Sequence, residues 1–149
     1  MSTPRRMIVA GRAALDALRA GIARADADGV HVSVVVVDRA GRVVVSFRDE
    51  DALPVTPELA LAKARAACSF ARPSDALAGI VQPGQPFYGL PDALPAPIAT
   101  FAGGLPLTED GRCYGAVGVS GGSAAQDVAY VRAVVEELSS DCAPGEGVS

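Results

Sequence analysis

Lys63 is the only lysine in a chain with twelve arginines, and in LALAKARAA it stands one position from an apolar stripe. An ammonium projecting from there into a pocket anchors a carboxylate or, if desolvated, acts as a base or amine nucleophile. The competing reading is a solvated residue or a structural ion pair. A pocket lysine predicts that Lys63→Met leaves the fold almost intact. Asp38 closes a β-branched run, where a carboxylate either starts a turn through its own side chain or serves as an acid/base. Arg48-Asp49 ends the next extended run, so a guanidinium and a carboxylate can both face the site. Its guanidinium either clamps a ligand carboxylate or pairs with Asp38 or Asp49.

Two glycine stretches add backbone chemistry. Gly103-Gly104 opens a strand and lets a ligand approach the main chain. Gly118-Val119-Ser120-Gly121-Gly122 delivers free N–H groups to a helix N-terminus, a setting that favours anions. It lacks both the GK[ST] ending of a P-loop and the G-x-G-x-x-G of a dinucleotide fold. Tight turns explain the same glycines without a ligand. His31 is the lone histidine. No second histidine exists for a Ser–His–Asp or Cys–His device, and nothing marks a nucleophile elbow. At the start of a buried strand it also reads as a hydrogen-bonded structural residue. Cys68, Cys113 and Cys142 lack CxxC spacing, so with one histidine no metal site is expected.

These residues need elements to position them. The 149 residues are half hydrophobic and one fifth charged, enough for one domain with a real core. Alanine (28) and valine (19) supply most of the apolar content and aromatics 5%, so the core is expected to consist of small side chains. A net charge of −4 removes the electrostatic term for nucleic acid and for anionic membranes. Arg5-Arg6 precedes no uninterrupted apolar segment, because Arg12, Asp16 and Arg19 break it, and no run approaches a bilayer span. A cytoplasmic protein with reduced thiols follows as the expectation.

Ile8, Leu15, Leu18 and Ile22, with Gly11, Ala14 and Ala25, predict an amphipathic helix from Met7 to Ala25. Val30–Val37 reads as a strand buried on both faces, turning at Asp38–Gly41 into Arg42–Arg48. Thr56 as N-cap, Pro57 and Glu58 begin a helix to Phe70 with Leu59, Ala62, Ala66 and Phe70 on its inner face. The proline-rich stretch Val81–Pro97 reads as a functional or mobile loop in which Phe87-Tyr88 can form a lid. Ile98–Ala102, Leu105–Thr108 and Arg112–Val119 complete the strands. Ser123–Gln126 has the form of a capping box for a last helix, in which Asp127 complements the dipole. The core spans about 7–138, with a frayed tail beyond it. The fold is α+β, in the order α-β-β-α-(loop)-β-β-β-α, with helices flanking an antiparallel sheet.

Over about Ile8–Val134 the blocks VSVVVVDRAGRVVVSFRDEDA, LALAKARAACSFARPSDAL, AGGLPL and YGAVGVSGGSAAQDVAYVRA resemble, in order, the GlcG/HbpS-type family. Its members include haem-binding or haem-degrading domains and the C-terminal domain of PduO-type proteins. The resemblance implies a profilin-like domain that forms homo-oligomers, and its helix block carries a lysine where Lys63 stands. It makes haem a possible cofactor, with His31 or Tyr88 as axial ligand and Tyr114 or a cysteine behind them. Lys63, Arg48 and the glycine-rich helix start (Ser120, Gly121, Gly122) suit the propionates. Two readings follow. One is a small-molecule binder with its pocket between the sheet and the Lys63 helix, lined by Arg48, Gly103, Gly104 and Ser120–Gly122. The other is a cofactor-independent isomerase, lyase or hydrolase acting on a small carboxylate or oxo-acid. There Lys63 or Asp38 is the acid/base, and the Gly121-Gly122 amides stabilise an oxyanion.

Overall fold

The computed structural model describes residues 8–140. Its elements are α1 (Gly11–Ala27), β1 (Ser33–Asp38), β2 (Val43–Arg48), α2 (Thr56–Phe70), β3 (Gly104–Glu109), β4 (Arg112–Ser120) and α3 (Ala124–Ser140). The strands form one antiparallel sheet in the order β2-β1-β4-β3. Central β1 carries the run Val34–Val37, and alternation sends its valines to opposite layers. Val34 and Val36 join Val117, Val119 and Leu107 against α1 and α3. Val35 and Val37 join Ala60, Ala64, Ala67 and Ala116 against α2. The sheet is therefore covered on both faces, as an apolar strand without polar alternation requires. The expected α+β class, the opening hairpin and the small-residue core are all present.

Five local readings change. The α1 helix starts at Gly11, and its buried line is Ala14, Leu18, Gly21 and Ala25, while Ile8 and Leu15 are exposed. The cause is close packing on α3. A Cβ at Gly21 would stand 2.6 Å from Val134 Cγ2 and 3.1 Å from the Tyr130 carbonyl oxygen, so small residues make the contact. Met7 and the tail from 141 lie outside the described residues, and α3 continues through Ser140, beyond the expected limit at 138.

Ile98–Ala102 is not a third strand after the loop. Ala99 N–H donates to the Ala62 carbonyl of α2, and the Phe101 carbonyl accepts from Ser74 Oγ. Its hydrogen bonds go to the helical layer instead of a neighbouring strand. The inner face of α2 comprises Thr56, Ala60, Lys63, Ala64 and Ala67 (Ala66 is also buried), with Leu59 and Phe70 only half-buried. Thr56 is the first helical residue, not the N-cap. Its Oγ1 donates to the Leu53 carbonyl and shares a 2.9 Å hydrogen bond with Ser33 Oγ, tying α2 to the start of β1.

The capping box forms as expected. Gln126 N–H donates to Ser123 Oγ, and Ser123 N–H to Gln126 Oε1 at 2.9 Å. The proline-rich segment is built from successive turns and a short 3-10 turn at Leu90–Ala93.

Candidate functional site

The start of β1, the end of β2 and the end of β4 converge on the first turns of α2 and α3. Lys63 sits behind this convergence with 3% of its surface exposed. Its Nζ donates to the Val119 carbonyl and to Asp127 Oδ2, each at 2.9 Å, and lies 5.6 Å from the Phe101 ring centroid. Asp127 Oδ1 accepts the Gly122 N–H at 2.9 Å. Burial raises the Asp127 carboxyl above its ordinary pKa, against the pull of the ammonium and of the Gly122 amide. One ion pair thus bolts the α2 layer, the end of β4 and the first turn of α3 together.

Glycine is required at Gly103 and Gly104 because protein atoms already fill the space beside them. A Cβ on Gly103, whose φ is +120°, would stand 2.6 Å from the Val119 carbonyl and 3.0 Å from Lys63 Nζ. On Gly104 it would meet the Lys63 carbonyl. Both glycines are buried, so the main chain they expose faces Lys63 and not a ligand. The ammonium and the two glycine stretches do meet, but around a filled junction.

On the solvent side of this junction lies a cavity of about 370 Å³, lined in part by His31, Leu53, Gly121, Gly122, Ser123 and Gln126. His31 is half exposed on its rim, and its Nδ1 lies 3.3 Å from Asp49 Oδ1. The Asp51 N–H donates to the same oxygen at 2.8 Å, which with His31 holds the Asp49 carboxyl below its ordinary pKa. With Nδ1 turned to Asp49, the imidazole keeps Nε2 free. A carboxylate behind one nitrogen fixes the orientation of the ring and of the other nitrogen, an arrangement typical of metal-ligating histidines. Arg48 Nη2 donates to the carbonyl of Ala52, another residue of the cavity wall, at 3.1 Å.

The family model described as "Haem degrading protein HbpS-like" matches residues 10–136. The chain belongs to this family. Among curated relatives, the corrinoid adenosyltransferase PduO of Salmonella typhimurium is 38% identical over 120 residues, covering 80% of this chain but 36% of that protein. The chain therefore spans about a third of the length of that relative. Klebsiella pneumoniae protein ORFY superposes with a TM-score of 0.85 at 32% identity, covering 93% of this chain and 97% of its own. A structure described as a PduOC:haem complex superposes with a TM-score of 0.82 at 35% identity, over 87% of this chain and 94% of that one.

Within this HbpS-like fold the remaining candidates are spread apart. Asp38 lies at the opposite end of β1 from Ser33, about 17 Å away at the rise of an extended strand. Its Oδ1 accepts the N–H groups of Ala40 and Arg42 at 2.9 and 3.0 Å, the turn-forming arrangement. Asp38 and Arg48 are therefore not neighbours, because an antiparallel hairpin pairs Arg48 with Ser33. Asp38→Ala is expected to cost about 1 kcal/mol of stability, since it removes two exposed turn hydrogen bonds, without changing ligand affinity. Chemical denaturation and a ligand titration check both halves.

Ser120 is buried opposite Ser33 in the sheet and does not line the cavity, whereas Gly121 and Gly122 do. Tyr88 is exposed in the proline-rich segment and absent from the His31 cavity. Its neighbour Phe87 lines a different cavity with Phe70, Arg72, Leu77, Ile80 and Leu90. Tyr114 is buried in the core under α1 and α3. Sequence reasoning offered Asp49 only as a carboxylate beside Arg48, without its histidine partner, and Asp127 only as a complement to the helix dipole. The signal for Asp49 was the hairpin register: counting outward from Ser33 and Arg48 brings Val32 and Asp49 together, and Asp49 N–H does donate to the Val32 carbonyl. Asp127 carried no comparable signal, because its partner comes from the opposite layer.

Proposed function

We propose that this HbpS-like domain binds haem at the cavity beside His31, with His31 Nε2 as the axial ligand. The observation that carries the reading is the His31–Asp49 pair on the rim of an open cavity. It is the one candidate ligand with a carboxylate oriented behind it among the described residues. The likeness to the PduOC:haem complex supports the same ligand. Bound haem would supply an iron centre that an imidazole can ligate, and His31 would hold it through Nε2. Arg48, one residue before Asp49, provides the nearby cation for a propionate, and Leu53, with 68% of its surface exposed, provides an apolar contact for the macrocycle. Lys63 supports the site from behind by fixing Asp127, and through it the Gly122 amide.

The acid/base enzyme reading draws no support from these placements. The Lys63 ammonium is already bound, Asp38 forms a turn, and the Gly122 N–H is given to Asp127. Residues 8–140 are proposed to act as one ligand-binding domain in a cytoplasmic homo-oligomer. The free thiols of Cys68 and Cys113 suit a reducing compartment, and homo-oligomer formation is what the family resemblance implies.

Haem titration followed at the Soret band tests the reading. His31→Ala is expected to weaken binding at least about tenfold and to move the band, and Asp49→Asn to weaken it about tenfold through the ring it orients. Equal affinity and an identical spectrum in His31→Ala would refute the assignment.

A further inference from the structure

Outside the haem reading, the structure places two thiols side by side. Cys68 lies near the end of α2, and Cys113 is the second residue of β4. Cys68 Sγ donates to the carbonyls of Asp38 and Arg39, both at 3.4 Å. Cys113 Sγ donates to the Gly115 carbonyl at 3.1 Å, and Gly115 is the residue paired with Asp38 across β1 and β4. The two side chains therefore converge on one point of the sheet. Both are half-buried and free. We propose that Cys68 and Cys113 are an oxidative modification site, a dithiol that closes to a reversible intramolecular disulfide joining the end of α2 to the start of β4.

The surroundings favour one order of events. The Cys68 thiol is pushed up to about 11 by burial and by its neighbour Cys113, so it stays protonated at neutral pH. Cys68 Sγ is held by two carbonyls and Cys113 Sγ by one, so the less restrained Cys113 is the first nucleophile. Both thiols are only half-buried, which leaves them open to a small oxidant. Arg39 is exposed, with no side-chain ion pair among the described residues, and suits an anionic one.

The oxidant class is a small anionic disulfide. The Cys113 thiolate attacks one of its sulfurs, forming a mixed disulfide and expelling one thiolate. Cys68, giving its proton to that thiolate, then attacks Cys113 Sγ and expels the second. The protein dithiol loses two electrons, and the small disulfide is reduced to one thiol and one thiolate, the latter taking up from water the proton that Cys113 released. The new bond crosslinks segments distant in sequence and restricts the unfolded chain.

Oxidised glutathione on the Cys142→Ser protein tests this, because only the two proposed partners then remain. The expected product has no free thiols, is lighter by two hydrogens and is monomeric on non-reducing gels. Its peptide map shows Cys68 joined to Cys113, and dithiothreitol reverses the change. Its thermal midpoint should rise by roughly 5–10 °C. Adding Cys68→Ser should trap a stable glutathione adduct on Cys113. Two surviving thiols in the Cys142→Ser protein, a stable adduct on Cys113 despite Cys68, or disulfide-linked dimers would each overturn the proposal.

Discussion

Lys63→Met is expected to destabilise the fold by about 3–5 kcal/mol, the usual cost of leaving one partner of a buried ion pair alone. The result would show as a fall in thermal midpoint on the order of 10 °C for a chain of this size. The ammonium serves two acceptors that no other donor reaches among the described residues, the Val119 carbonyl and Asp127 Oδ2. Methionine keeps most of the volume and satisfies neither. Asp127 is left with the Gly122 amide alone, in a place where burial already penalises its charge. Lys63→Met with Asp127→Leu should regain much of the loss, because an apolar pair often replaces a buried ion pair at little cost. A change in Lys63→Met below about 1 kcal/mol, the range of exposed ion pairs, would mean that the side chain is solvated. The pocket reading of Lys63 predicted that near-neutral outcome.

Gly118→Ala is expected to cost about 3 kcal/mol, at the upper end of overpacking losses. An added Cβ would meet the Ala60 carbonyl and stand 2.9 Å from the Ala64 nitrogen, both backbone atoms of α2. A side chain can swing aside; a helix axis must move as a whole. The alanine-rich inner face of α2 and the glycine on β4 are thus two halves of one close helix–sheet contact. Gly79→Ala, where nothing lies within 4 Å of the new Cβ, is the control and should stay within about 0.5 kcal/mol of the parent. Denaturant midpoints at unchanged m-values measure both, and equal losses would remove the steric explanation.

Local chemistry in the sequence announced what local chemistry builds. The β-branched run Val34–Val37, the Asp38–Gly41 turn and the Ser123–Gln126 box form as their residue types predict, because their partners are near neighbours in the chain. The inner face of α2 did not follow from its largest residues. Leu59 and Phe70 are the bulkier choices, yet closeness to β4 selects Ala60, Ala64 and Ala67, and rotating the face inward buries Lys63. The same contact explains why Gly103 and Gly104 looked like ligand cradles: bare main chain is needed wherever another backbone or a buried ammonium comes close. Ile98–Ala102 read as a strand because extended backbone and strand share a composition, and only its partner in α2 tells them apart. His31 was singled out for being alone. What distinguishes it chemically is Asp49, reached through the β1–β2 register.

The location of bound haem is measured most directly by amide NMR of isotope-labelled protein titrated with ferric haem. Paramagnetic broadening should centre on His31, Gly121, Gly122 and Ser123, and in the His31→Ala protein these signals should stay sharp at the same haem concentration. Broadening centred on Phe87–Leu90, with Gly121–Ser123 unaffected, would contradict the assignment and place the ligand at the proline-rich segment.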